Sequence, residues 1–326
     1  MTSTYDSPAD GTPGSAPHVV LRDVEVAYPW VGKPGRPVPP VVGPLTLDLA
    51  DGADGADGAG GAGGTGGIVG LVGRNGAGKT TLLGLLAGQL KPSSGTVTSG
   101  GRAAFDDAVV LENTSLTGVD VDYAPSWNVQ GVLDMAARRY PRWDPAEAAR
   151  LQDAFGLADT SRYGVLSRGQ RTAVGIIVGL ASHAPVTLFD EPYVGLDAQS
   201  RRLFYRVLVE SVQDDPRLVV ISTHHLPDLE RIVDRVLILE KGRLVHDIDA
   251  AELSGRFYRI TGSEARVDAV ISGAPGLAVL ERRDVAGASR AVVDLGDTGP
   301  DVLSGVAAEP VDLEEAVIHL TGGETS

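Results

Sequence analysis

The apolar residues of this chain follow two patterns, short continuous runs and helical spacing, which together predict a mixed α/β protein. Short continuous apolar runs at residues 68–72, 186–189 and 218–221 are typical of buried parallel strands. Longer stretches with helical spacing lie between and around them, at residues 79–90, 129–140, 145–155 and 169–182. Strands that alternate with helices favour a parallel sheet covered by helices.

The two ends of this pattern differ from its middle. Valine and leucine dominate residues 18–28, and Leu45, Leu47 and Leu49 alternate with polar residues, so two strands are expected ahead of the parallel sheet. From about His246 the pattern weakens into short strands and a last helix over residues 313–320. This predicts a small C-terminal α+β appendage.

Two segments have too little apolar character for a core. Residues 1–17 are rich in Ser, Thr, Pro, Gly and Asp, and we expect a disordered tail. Residues 51–67 read DGADGADGAGGAGGTGG, which predicts a flexible insertion in an expanded hairpin turn. A calcium-binding Gly/Asp repeat is the alternative for this insertion, but the nonapeptide period of such repeats is missing.

Composition narrows the classes of function. The 326 residues carry a formal net charge of −15, which opposes binding to nucleic acid or to an anionic lipid surface. The sequence has no cysteine, so it has no disulfide and no thiolate metal site. No apolar run approaches the roughly 20 residues that cross a bilayer, and no signal peptide is recognisable. We therefore expect a soluble, cytoplasmic protein.

The strongest chemical signal is GRNGAGKT at residues 73–80, which fits the phosphate-loop pattern G-x-x-x-x-G-K-[ST] in full. An apolar strand precedes it and a helix follows, so backbone N–H groups and the helix N-terminus would attract phosphates. Lys79 would reach the terminal phosphates, and the Thr80 hydroxyl would bind Mg²⁺. The predicted nucleotide-binding residues here are Gly73, Arg74, Asn75, Gly76, Ala77, Gly78, Lys79, Thr80 and Thr81.

A second signal follows the apolar run at residues 186–189. Asp190 and Glu191 stand at the carboxyl end of this predicted strand, where α/β sheets bind ligands. Asp190 is predicted to hold Mg²⁺, and Glu191 to act as the general base on the attacking water. An Asp-Glu pair alone is more often part of a solvated loop, and it gains weight here from the phosphate loop.

Four further segments occur in a fixed order around these motifs. Tyr28 lies upstream of the phosphate loop, LSRGQ occupies residues 166–170, VGLD residues 194–197 and ISTHH residues 221–225. Over residues 18–245 the chain resembles the nucleotide-binding subunits of ABC transporters, whose LSGGQ-type signature is nearly unique to that family. RRYPRWD at 138–144 and DLEEAVIHLTG at 312–322 resemble the exporter branch of the family.

The resemblance implies a fold and a division of the chain. It implies a P-loop NTPase core with a parallel sheet, an N-terminal antiparallel β subdomain and an inserted helical subdomain over about 120–165. The ATP-binding domain would cover residues 18–245, with the tail at 1–17 before it. Residues 246–326 would form a C-terminal accessory region.

The resemblance also implies residue roles. Tyr28 would stack on adenine, and His224 would be the switch histidine beside the γ-phosphate, with His225 as the competing candidate. Asp197 would contact the opposite subunit of a dimer. The residues expected to bind the γ-phosphate of an ATP held by that other subunit are Ser167 and Gly169, with Gln170 beside them.

The chain departs from the family where a glutamine normally contacts Mg²⁺ and senses the membrane partner. The segment at 116–133 offers Asp120 as the equivalent and Asp122 as the next candidate, whereas Gln130 is expected on the following helix. Trp127 and Trp143 nearby are equally suited to docking a helix of that partner and to simple core packing.

The expected function is therefore hydrolysis of ATP, with Mg²⁺, by one subunit of a dimer that powers a separate membrane permease, in the direction of export. Such a subunit would lie peripherally on the inner face of the cell membrane. One alternative is a soluble ABC ATPase acting on ribosomes or DNA, which the acidic charge and the single cassette disfavour. Another is a regulatory ATP-binding module that does not hydrolyse ATP. The presence of the expected hydrolytic residues Lys79, Glu191 and His224 argues against it.

Overall fold

The computed structural model of this chain describes residues 18–28, 39–49, 67–118, 122–224, 229–296 and 298–320. Four sequence-based expectations concern residues outside these ranges. They are the tail at 1–17, the glycine-rich insertion except for Gly67, Asp120 and His225.

A six-stranded sheet forms the centre of the described structure. Its strands are β3 (Ile68–Val72), β6 (Thr114–Gly118), β7 (Val186–Asp190), β8 (Leu218–Thr223), β9 (Arg235–Glu240) and β10 (Arg243–Asp249). Their order is β10-β9-β3-β8-β7-β6, and only the β9–β10 pair of this sheet is antiparallel. Every residue of β3, β7 and β8 is buried, which is why these strands appear as continuous apolar runs.

An antiparallel sheet packs beside the central one. It contains β1 (Val19–Val26), β2 (Val42–Leu49), β4 (Ser94–Ser99) and β5 (Arg102–Ala103), in the order β2-β1-β4-β5. Leu45, Leu47 and Leu49 are buried while the residues between them are exposed, as their alternation predicts. Leu71 of β3 joins these side chains in one core, whereas Ile68 of the same strand faces a second core on the other side of the sheet.

Six α-helices precede residue 215 in the described part of the chain. They are α1 (Lys79–Leu86), α2 (Ala108–Glu112), α3 (Val129–Arg139), α4 (Pro145–Ala154), α5 (Arg168–Ala181) and α6 (Ala198–Asp214). The expected helix at 79–90 was too long, because Gly88 adopts a left-handed conformation with φ of 67°. The N–H groups of Gln89 and Leu90 both bond to the carbonyl of Gly84, which closes the helix end. No helix in the described ranges is long and apolar enough to cross a membrane.

The C-terminal region has a sheet of its own. It consists of β11 (Phe257–Ser263), β12 (Ala278–Val285), β13 (Ala288–Asp294) and β14 (Ala307–Pro310), with the helices α7 (Ala250–Arg256), α8 (Glu264–Gly273) and α9 (Leu313–Leu320). The strand order is β12-β13-β11-β14. Leu253 of α7 and Leu313 of α9 join the large core of the central sheet. Pairing of β10 with β9 continues to Asp249, so the central sheet extends past the boundary expected at residue 245.

Candidate functional site: a nucleotide-binding centre

The phosphate-loop residues form a turn between β3 and α1. Gly76 and Gly78 have φ of 81° and 104°, in the left-handed region that favours glycine. A Cβ on Gly73 would lie 2.4 Å from the carbonyl oxygen of Leu239, so no side chain fits there. The glycines therefore let the loop lie directly against β9 and close above the start of α1.

Lys79 begins α1 with an almost fully buried side chain, 7% exposed. Its ammonium donates to the carbonyl oxygen of Gly73 at 2.7 Å and lies 3.3 Å from Oε1 of Glu191. A buried charge is stable only when it is paired and hydrogen-bonded. These two contacts supply both requirements, and they place the lysine between the loop and the carboxylate that follows β7.

Asp190 is held by hydroxyl groups from two directions. Thr80 Oγ1 donates to Asp190 Oδ2 at 2.6 Å, and the Ser222 hydroxyl donates to Oδ1. Ser222 lies opposite Asp190 in the parallel pairing of β7 with β8, so both side chains reach the same sheet edge. Sequence reasoning missed Ser222, because its role depends on the register between two strands rather than on a motif.

Glu191 has a backbone conformation that is rare for a side-chain-bearing residue, with φ of 51°. Its N–H donates to Ser222 Oγ at 3.0 Å and is 3.3 Å from the Ser222 carbonyl oxygen, which holds the turn in place. Its Oε2 lies 2.9 Å from Nδ1 of His224. The predicted base and the predicted switch histidine therefore lie side by side.

Tyr193 completes this cluster, and sequence reasoning did not identify it. Its side chain is buried and its hydroxyl donates to Glu191 Oε2. The same phenol oxygen lies 3.0 Å from Thr223 Oγ1 and 3.2 Å from His224 Nδ1. Burial, with the hydrogen bond to Glu191, raises the pKa of Tyr193 above its ordinary value, so the phenol stays protonated. An aromatic residue after a strand carries no signal that would have revealed these contacts.

The LSRGQ segment forms the N-terminus of α5. Ser167 is the N-cap, with its Oγ 3.2 Å from the N–H of Gln170, and the Gln170 side chain accepts from the Ser167 N–H at 2.9 Å. A Cβ on Gly169 would lie 2.3 Å from the carbonyl oxygen of Gly195. Thr172 also donates to the Val194 carbonyl at 2.7 Å. The signature segment is thus fastened to the loop that follows β7.

Two further predicted residues, Tyr28 and Asp197, contact the N-terminal turns of helices. The Tyr28 hydroxyl is 3.3 Å from Thr81 Oγ1, so the tyrosine lies beside α1. Asp197 caps α6 by accepting from the Ser200 N–H at 2.7 Å, and this backbone hydrogen bond lowers the pKa of Asp197.

Of the residues considered as the equivalent of the family's glutamine, Asp122 and Gln130 lie in the described part of the chain. Asp122 is exposed, and Gln130 lies on α3, as expected, where it donates to Asp134 at 2.7 Å. Trp143 packs against the large core, whereas Trp127 is 42% exposed. The two tryptophans, equally suited to either role by sequence, therefore differ in their surroundings.

Similarity to known proteins agrees with this geometry. A family model described as ABC transporter matches residues 64–194. The ABC transporter ATP-binding protein YtrB of Bacillus subtilis is 30% identical over 57% of this chain, and the chain spans 64% of that protein, just under two thirds. The phosphonates import ATP-binding protein PhnC 1 of Natronomonas pharaonis is 41% identical over 55% of this chain and 81% of its own length.

Solved structures show the same fold. The ATP-binding subunit of an ABC transporter has a TM-score of 0.59 at 22% identity, over 72% of this chain and 91% of that one. The cassette MJ0796, in a dimeric post-hydrolysis state with ADP and Pi, has a TM-score of 0.58 at 20% identity, over 71% of this chain and 98% of its own. The chain therefore belongs to the family of ABC transporter ATP-binding proteins, whose cassettes are ATPases.

Proposed function

We propose that this chain binds ATP with Mg²⁺ and hydrolyses it as one half of a dimer, and that this cycle drives a membrane permease on separate chains. The observation that carries the proposal is the position of the Glu191 carboxylate. Its Oε1 faces Lys79 of the phosphate loop at 3.3 Å, and its Oε2 faces His224 at 2.9 Å. Glu191, Lys79 and His224, the proposed base, cation and switch histidine, thus lie together at the carboxyl edge of the central sheet.

The phosphate loop would hold the substrate. The loop is followed by the N-terminus of α1, whose positive end attracts anions, and Lys79 supplies a full positive charge. Lys79 now contacts Glu191, and a γ-phosphate would compete for the same ammonium. Once Lys79 turns to phosphate, Oε1 of Glu191 loses its cation and becomes available to accept a proton from water.

Thr80 and Asp190 fit a bound Mg²⁺. Their side-chain oxygens lie 2.6 Å apart at the end of β7, and oxygen ligands are those that this ion prefers. The ion would neutralise charge on the phosphates. The chain's own contribution is to hold Asp190 in place through the Thr80 and Ser222 hydroxyls.

A second cassette would complete each site. Ser167 and the N-terminus of α5 form an exposed anion-attracting end, with Asp197 exposed on the neighbouring loop. The fold shared with dimeric cassettes supports an arrangement in which this end faces the ATP of the partner subunit. Tyr28, next to Thr81, would pack against the adenine.

We further propose that the permease transports its substrate outward, with the cassette on the inner face of the membrane. The segments RRYPRWD and DLEEAVIHLTG support export. Relatives named as importers, such as PhnC 1 of Natronomonas pharaonis, set the competing direction. The permease that copurifies with this chain can be reconstituted in vesicles, and substrate that accumulates on the cassette side would reverse the proposed direction.

The substitution Glu191→Gln tests the hydrolytic role. It removes the base but keeps the size of the side chain, so turnover should fall about 10²–10⁴-fold while ATP still binds. The ATP-bound dimer should accumulate, as measured by gel filtration with ATP and Mg²⁺. Glu112→Gln, on an exposed residue of α2, is the matched control. Turnover by Glu191→Gln close to that of the unchanged protein would remove Glu191 from the role of base.

A further inference from the structure

We propose that Tyr193 is a positioning residue for ATP hydrolysis, whose hydroxyl fixes the Glu191 carboxylate so that Oε1 alone serves as the base. This inference rests on the proposed function of the same site. It assigns a role to a side chain that lies outside the phosphate loop, the signature segment and the two carboxylates.

The hydrogen bonds around the Tyr193 oxygen orient the phenol hydrogen toward Glu191. The backbone N–H of His224 donates to the Tyr193 oxygen at 3.3 Å, and the Thr223 hydroxyl donates to it at 3.0 Å. With these donors on the oxygen, its single hydrogen is directed to the carboxylate, which only accepts. Tyr193 therefore donates to Glu191 Oε2, and this charge-assisted bond belongs to the stronger class of hydrogen bonds.

The tyrosine ring is fixed on several sides. The side chain is 6% exposed, the Arg201 guanidinium lies 5.8 Å from the ring centroid, and the His224 ring lies at 5.9 Å. The Tyr193 carbonyl also accepts from the N–H of Leu196 at 3.1 Å. A rigid ring places the hydroxyl at a fixed point between the ends of β7 and β8.

The consequence is a difference between the two oxygens of Glu191. Oε2 is held by Tyr193 and His224, whereas Oε1 contacts Lys79, which the substrate would draw away. In hydrolysis the water oxygen bonds to the γ-phosphorus, the bond from that phosphorus to the bridging oxygen breaks, and its electron pair leaves with ADP. The proton of the water passes to Oε1, because Tyr193 keeps Oε2 occupied.

The variant Tyr193→Phe tests this role, since it keeps the ring and removes only the hydroxyl. We expect kcat to fall about 10- to 100-fold, the effect of losing a hydrogen bond to a charged group. The ATP affinity should stay within about twofold of that of the unsubstituted protein. Tyr140→Phe is the control, because Tyr140 is also 6% exposed but lies at the end of α3, away from the site. A kcat for Tyr193→Phe within about twofold of the Tyr140→Phe value would overturn the proposal.

A second measurement distinguishes a positioning role of the Tyr193 hydroxyl from a merely structural role. In a Glu191→Ala background the hydroxyl has lost its acceptor, so adding Tyr193→Phe should change single-turnover hydrolysis less than twofold. Multiplicative effects would show that Tyr193 acts elsewhere and would overturn the inference. If Tyr193→Phe fails to fold, Thr223→Val, which removes a donor that orients the phenol, must lower kcat without altering ATP affinity, and an unchanged kcat counts against the proposal.

The proposed function and this inference fail in different ways. The proposed function is wrong if the unsubstituted protein does not hydrolyse ATP, or if Glu191→Gln keeps full activity. The inference alone fails when the unchanged protein is active, Glu191→Gln is not, and Tyr193→Phe behaves as the control does.

Discussion

His183 lies at the centre of a cluster of charged side chains outside the nucleotide site. It lies just after α5, with its Nε2 2.6 Å from Glu147 and its Nδ1 2.8 Å from Asp215. Asp215 also pairs with Arg142 at 2.6 Å. Because both ring nitrogens face carboxylates, the protonated imidazolium satisfies the cluster best, since it can donate to both acceptors at once.

This cluster predicts a pH dependence of stability. The hydrogen bond to Glu147 raises the pKa of His183, Asp215 adds to it, and burial opposes both. A histidine pKa that is higher in the folded state stabilises the protein fully below the unfolded value of about 6.5, and the gain is lost as pH rises through the folded value. The unsubstituted protein should therefore have a higher free energy of unfolding than His183→Gln, and this difference should be larger at pH 5.5 than at pH 8.5. Denaturant titrations at both pH values measure it, and a difference that is equal or larger at pH 8.5 would contradict the assignment.

Single residues also show where sequence reasoning stopped. The side chains of Lys79, Asp190, Glu191 and His224 were expected in one site, and they lie together. Ser222 and Tyr193 were not expected there. Ser222 reaches Asp190 through the register of β7 and β8, and Tyr193 reaches across from one strand end to the other. Motifs describe neighbours along the chain, whereas these contacts depend on how strands are placed in space.

At the scale of elements, α5 shows how closely a helix can approach a sheet. A Cβ on Gly179 would lie 2.6 Å from the Phe189 ring, whose side chain is fully buried in β7. A Cβ on Gly175, one turn earlier, would make an ordinary contact of 3.6 Å with Thr117. The apolar periodicity predicted this helix, but it did not reveal which glycine faces the ring.

Because their surroundings differ, we expect substitution by alanine at Gly179 and at Gly175 to have different effects on the free energy of unfolding. Gly179→Ala should lower the free energy of unfolding by about 1–3 kcal/mol, because the added methyl overpacks the core. Gly175→Ala should leave it unchanged or raise it by about 0.5–1 kcal/mol, since alanine favours the helix. Denaturant unfolding of both variants makes the comparison, and equal effects would show that α5 lies farther from β7 than described.

At the scale of the whole molecule, the proposed site, with the phosphate loop of one subunit and the signature segment of the other, predicts complementation between two inactive chains. Lys79→Ala spoils the phosphate loop. Ser167→Asp keeps a capping oxygen on α5 but places a negative charge toward the partner's phosphates. Each variant alone should be nearly inactive, and a doubly tagged mixed dimer should recover hydrolysis at one of its two sites. Substitution at Ser167 suits this test better than at Gly169, where any side chain meets Gly195.

Controls decide between the outcomes of that experiment. Ser167→Asn also caps the helix but carries no charge, so it should lose less activity than Ser167→Asp. Cysteines introduced at Asn75 and Ser167 should crosslink between subunits only with ATP, and the chain has no native cysteine to interfere. A mixed dimer without activity, together with no such crosslink, would mean that each chain works alone.

The contact between the signature segment and the loop after β7 has a consequence for the entropy of association. Gly169 lies against Gly195, and Thr172 bonds to the Val194 carbonyl, so the proposed partner-facing groups are already held together in a single chain. Surfaces ordered before contact lose little conformational freedom when two proteins bind. The affinity of one cassette for another would then depend on the nucleotide between them, with little folding left to occur at the moment of encounter.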